Sequence, residues 1–147
     1  MENGNDRNNT FFRFEDLRIY HKALNYTKWI HHTTSSHTDA QSVRILDSFN
    51  ASSQNIVLNI AEGSARNKSQ FIYYLKMAKS AVRECLVYTS ICHKTGLFND
   101  DEEDESRNQL MEMTKMIGAL ISSLHRSNHS NKRDDDQDDF DDDIPAD

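Results

Sequence analysis

Residues 52–66, SSQNIVLNIAEGSAR, decide how the rest of the chain is read. Ile56, Val57, Ile60 and Ala61 recur at steps of three and four, so a period of 3.6 gathers them into one apolar stripe of a helix. Ser52, Asn55, Asn59, Glu62 and Arg66 alternate the same steps and form a polar ribbon beside that stripe. Gly63 is read as the stop, because a residue without Cβ takes the left-handed conformation that commonly closes a helix at its C′ position. A long amphipathic helix ending in a tight corner therefore sets the architecture.

Working upstream, the apolar line continues through Phe49, Leu46 and Val43 to Asp39, a good N-cap residue, so helix 2 runs from about Asp39 to Gly63. Helix 1 is expected from Glu15 to about His32. It carries two lines, one of Leu17, Leu24 and His31 and one of Ile19, Ala23, Tyr26 and Ile30. Glu15 and Asp16 fall in its first turn, where negative charge complements the helix dipole. Downstream, Asn67 or Ser69 caps helix 3, and Phe71, Leu75, Ala78, Val82, Cys85, Thr89 and Cys92 keep the rhythm until Gly96 closes it after Lys94. Residues 99–105 read as an acidic connector. Helix 4 follows with Leu110, Met113, Ile117, Leu120 and Leu124 and frays near Ser127. Four amphipathic helices with short links bury four stripes most simply in an all-α, antiparallel up-down four-helix bundle. The expected organisation is a disordered N-terminus over residues 1–13, the bundle over 14–127 and a disordered acidic tail over 128–147.

Charge divides unevenly along this plan. Nine of the 24 Asp and Glu lie in residues 134–147, which hold no base, so the other 15 acids face all 17 Lys and Arg. The body is close to neutral, and outside the six consecutive acids of residues 100–105 it is basic, which permits a polyanionic partner. One proline and four glycines in 147 residues favour long helices over many short strands. No apolar run approaches the roughly 20 residues of a membrane span, and the polar start lacks a signal peptide's apolar segment, so a cytoplasmic protein is expected. Cys85 and Cys92, seven residues apart on a helix, stand about 10 Å apart, beyond disulfide reach.

The stretch Asn59–Gly63, NIAEG, followed by Arg66, Phe71, Leu75, Ala78, Ser80 and Glu84, carries a resemblance. So does the opening Phe14-Glu15-Asp16-Leu17 with Tyr20, Lys22 and Ala23. The chain resembles the four-helix-bundle family of intervening-sequence proteins encoded within bacterial large-subunit ribosomal RNA genes, over roughly residues 14–124. The resemblance implies an up-down bundle that assembles into a homo-oligomeric ring, usually a pentamer, with nucleic-acid binding and no catalysis. A related branch serves as the accessory subunit of retroelements and partners a reverse transcriptase. Asn55, Val57, Lys79 and Cys85 depart from residues common in that family.

Two surfaces are candidates for function. Ser80 and Glu84, one turn apart on helix 3, are placed to meet Asn59 and Arg66 and to close a buried polar network with Asn55, Glu62 and Gly63 around it, at the core or between subunits. Lys76, Lys79 and Arg83 form a line on helix 3 that Arg66 and Lys68 extend, a pattern that can follow a phosphate backbone. On helix 1, Arg18 and Lys22 share a line with Trp29, a candidate stacking platform for an unpaired base. Charged lines are also the ordinary solvated faces of helices. His125 and His129 have the spacing of two zinc ligands but lack a third, and the E-x-x-H pattern of di-iron bundles is absent, so no metal or cofactor is expected. With no glycine-rich phosphate loop and no nucleophile motif, the reading is not an enzyme. It is a homo-oligomeric, pentameric bundle acting as an RNA- or DNA-binding scaffold. The alternative is a protein-binding adaptor, such as an accessory subunit to a nucleic-acid-processing enzyme. Phe140 and Ile144 among the aspartates of 134–147 suggest that the tail folds over the basic line and competes with nucleic acid.

Overall fold

The computed structural model describes residues 11–131. A 3₁₀ turn, Arg13–Asp16, leads into four helices, α1 Arg18–Thr34, α2 Ala40–Ser64, α3 Lys68–Lys94 and α4 Asp100–Asn131, with no strand among the described residues. Glu15 and Asp16 sit in the 3₁₀ turn and not in α1, which opens at Arg18 with no acid in its first turn. Leu17, extended, separates the two elements. Residues 1–10 and 132–147 lie outside the described residues, and with them most of the expected disordered N-terminus and acidic tail.

Helices α2, α3 and α4 each begin where a short polar side chain replaces a missing helical acceptor, whereas α1 starts after Leu17 with no side-chain cap. Asp39 accepts from the Ser42 amide at 3.0 Å, and Asn67 from that of Gln70 at 2.9 Å. Residues 99–105 are not a connector. Asn99 and Glu102 cap each other, the Asn99 amide donating to Glu102 at 2.9 Å and the Glu102 amide to Asn99 at 2.8 Å. The acids that follow occupy the first turns of α4, where they face the positive end of the dipole. This helix also continues past Ser127 to Asn131.

The two predicted glycine stops behave differently. Gly96 has φ of +82° and closes α3 as expected, with the amides of Leu97 and Gly96 bonded back to the carbonyls of Cys92 and His93. Gly63 does not close α2. It lies inside the helix, the end passes through Ala65 at φ −87°, and the Ala65 and Arg66 amides reach Glu62 and Gly63 carbonyls by three-residue bonds. Its absent side chain serves packing: a Cβ built there stands 2.6 Å from the Tyr74 Cβ and 3.0 Å from the Phe71 ring. Gly63 lets α2 and α3 approach more closely than any larger residue allows.

The apolar lines converge on one core. Ile19, Ala23, Tyr26 and Ile30 of α1 are buried, whereas Leu24 on the other line is 42% exposed. They meet Leu46, Phe49, Ile56 and Ile60, the complete seven-residue set of α3, and Leu110, Met113 and Ile117 of α4, with Leu120 and Leu124 packed at the margin. Cys85 and Cys92 are free and fully buried, and burial pushes the Cys92 thiol up to about 11. Phe98, turned inward by the Gly96 corner, lies between Trp29 and Phe49 at ring distances of 6.0 and 5.9 Å.

One polar chain crosses this core. Tyr26 meets Ser106 at 2.8 Å, Ser106 meets Thr89 at 2.7 Å, and the Thr89 hydroxyl donates to the Cys85 carbonyl at 2.8 Å. Because the Thr89 proton is committed to that carbonyl, Ser106 must donate to Thr89 and Tyr26 to Ser106. Three hydroxyls are satisfied in one direction, fixing α1, α3 and α4 in register. Contacts elsewhere run in opposite sequence order: Thr27 with Ser53 and Thr34 with Asn50, Ser52 with Glu84 and Gly63 with Tyr74, Thr89 with Ser106 and Lys68 with Ser127.

Candidate functional site

The polar ribbon of α2 does not close into a buried network. Ser52 is buried and donates to the Glu84 carboxylate at 3.0 Å, but Asn55, Glu62, Arg66 and Glu84 are exposed. Asn59 donates to the Asn55 carbonyl on its own helix at 2.8 Å. Arg66 makes a two-pronged contact with Glu62, at 2.9 and 2.6 Å, and lies 5.3 Å from the Tyr74 ring centroid. Ser80 accepts from Arg83 at 3.2 Å. Register is the reason for the separation. With Ser52 level with Glu84, Arg66 lies beyond the end of α2 at Ser64, which is itself 12 residues and about 18 Å further along on a 1.5 Å rise. Three local pairings replace the expected constellation.

The basic residues separate into two regions. On α1, Lys22 forms an ion pair with Glu112 of α4, and Arg18 adds to the field there; the hydrogen bond from Lys22 holds the Glu112 carboxyl below its ordinary value. Trp29 is not a free platform. Half-buried, it packs against Tyr26 and Phe98, so its ring belongs to the core margin. On α3, Lys76 and Lys79 are half-buried and Arg83 is exposed, and Arg83 lines a cleft against α4. Lys68 reaches Ser127 from the start of α3.

A cleft of about 280 Å³ lies between α3 and α4, with Arg83, Leu86, Arg107, Asn108, Met111 and Thr114 on its walls. It brings Arg107 beside the α3 line. Sequence reading missed Arg107 because it follows a run of acids and belongs to no basic series of its own; only the register of α4 against α3 supplies the pairing.

The neighbouring face of α3 is open, with apolar residues on both sides of a polar Ser80–Glu84 step. Tyr73, Met77, Ser80, Glu84, Val87 and Ile91 alternate four- and three-residue steps, the spacing of a coiled-coil seam. Met77, Val87 and Ile91 are 41%, 59% and 37% exposed. A third feature is a groove of about 500 Å³ at the end of α2, walled by Phe11, Phe12, Phe14, Leu58 and Ala61.

Among the described residues, no group of three or more His, Cys, Asp and Glu is arranged to hold a metal ion, and no helix is long and apolar enough to cross a membrane. The family described as 23S rRNA-intervening sequence protein matches residues 15–119. A comparison with curated proteins finds no match.

Proposed function

We propose that this chain, which belongs to the 23S rRNA-intervening sequence protein family, acts as a non-enzymatic cytoplasmic scaffold whose helices alternate up and down and whose copies assemble into a ring of five. The observation that carries the reading is that α3 presents two unlike faces: a heptad seam with Met77, Val87 and Ile91 exposed, and a basic line of Lys76, Lys79 and Arg83 whose Arg83 meets Arg107 of α4 at the cleft. The first suits a helix of a neighbouring copy, because an exposed seam of this spacing gains by burial against another helix. The second suits the phosphates of RNA or DNA. Repeating the line around a ring adds weak contacts by avidity.

The opposite order of the helix contacts supports the alternating arrangement. The seam would equally take a helix of a nucleic-acid-processing protein, which is the adaptor reading. Retention of mixed RNA and DNA on the immobilised protein across a salt series separates the two. A scaffold that binds nucleic acid loses retention steeply as salt rises, and Arg83→Glu with Arg107→Glu abolishes it. Retention that is absent at low salt overturns the nucleic-acid role and leaves the adaptor.

A further inference from the structure

We propose that the groove at the end of α2 is the docking site of the chain's own acidic segment, residues 134–147, entered by Phe140 and Ile144. This inference is independent of the ring and of nucleic-acid binding.

The groove is apolar and open. Phe11, Phe12 and Leu58 are 91%, 55% and 62% exposed, although the four stripes of the bundle are covered. Its aromatic wall is built and not loose: Phe11 packs edge-on against Phe12, Phe12 against Phe14, and Phe14 against Tyr20 of α1, at ring distances of 5.1, 5.8 and 4.9 Å. Solvent contact of this extent is costly, which calls for an occupant.

Position selects the occupant. Lys68 contacts Ser127, so the last turns of α4 lie beside the first residue of α3, and Lys68 is only three residues from Ala65 in the groove wall. Eight residues lie between Asn131 and Phe140, a reach of roughly 30 Å when extended, against roughly 11 Å for the step from Lys68 to Ala65. Charge agrees with position. The segment DDDQDDFDDDIPAD holds nine acids and no base, and its large apolar side chains are Phe140 and Ile144. Arg13 and Glu62 line the groove, Arg66 follows its Ala65 wall and is paired with Glu62, and Lys68 lies two residues further on. With the Arg66–Glu62 pair balanced, Arg13 and Lys68 leave the rim net basic, which suits apolar residues flanked by aspartates.

Replacing Phe140 by the photo-reactive p-benzoylphenylalanine in the full chain tests this. Illumination is expected to give crosslinks within one chain to residues 11–14 and 58–65, with a yield independent of protein concentration. Those crosslinks are expected to disappear in Leu58→Glu and at high salt. Leu58 is largely exposed, so that variant keeps the helical circular-dichroism signal, and Phe12→Ala provides a second disruption. Crosslinks that join two chains, that map elsewhere, or that survive Leu58→Glu overturn the proposal, as does their absence. Because the readout is contact within one chain, it stands or falls separately from assembly and from nucleic-acid retention.

Discussion

At the scale of single residues, the least expected finding is Gly63. The composition of NIAEGSAR points to a helix stop, yet the residue stands inside α2 where the neighbouring helix leaves no room. Alanine is the better helix former by about 1 kcal/mol, but a Cβ 2.6 Å from that of Tyr74 forces the helices apart. Gly63→Ala is expected to lower unfolding free energy by about 1–3 kcal/mol, as overpacking does, measured by urea denaturation. Gly96→Ala, with open space around it and φ of +82°, loses about 1–2 kcal/mol through backbone strain alone. Ser106 was also invisible to the pattern, since one serine in a helix has no periodic signature. Removing it leaves the Tyr26 hydroxyl without its buried acceptor, so Ser106→Ala should cost about 1–3 kcal/mol. A stability equal to that of the parent would contradict the one-directional hydroxyl chain. Gly63 and Ser106 share a cause: each is explained by a partner far along the chain, which local reading cannot supply.

At the scale of elements, much was legible. Core lines on α1, α2, α3 and α4 follow from three- and four-residue spacing, and Asp39, Asn67 and Gly96 perform the capping roles their chemistry suggests. Asn67→Ala removes the cap of α3 and should cost about 1 kcal/mol, read from the same denaturation curves. The start of α4 was misplaced because six consecutive acids look like a solvated linker, whereas the Asn99–Glu102 pair turns the first of them into a helix terminus. The candidate site was legible only as separate lines of residues. Which flank of α3 meets α4, and so which arginine joins Arg83, depends on register. Between α1 and α4, the Lys22–Glu112 pair gives a pH prediction. The folded carboxyl lies below its unfolded value, so its contribution to stability is present above the ordinary carboxylate range and is lost as pH falls through the folded value. Lys22→Ala should move the Glu112 midpoint, followed by carboxyl NMR, up toward the ordinary value.

At the scale of the whole molecule, a closed core and an open seam coexist on the same helix. The seven inward residues of α3 are all buried, while one flank keeps a heptad line with Met77, Val87 and Ile91 in solvent. In the proposed ring this seam is the surface that a neighbouring copy would bury. Charge placed in the seam is therefore more disruptive to assembly than to the fold: Val87→Asp should give single chains with an unchanged helical signal. The most direct measurement is the mass of the full chain by sedimentation equilibrium over a range of concentrations. The account predicts a particle of five times 17.0 kDa that falls to 17.0 kDa in Val87→Asp. A parent chain that remains at 17.0 kDa at the highest concentration would contradict it.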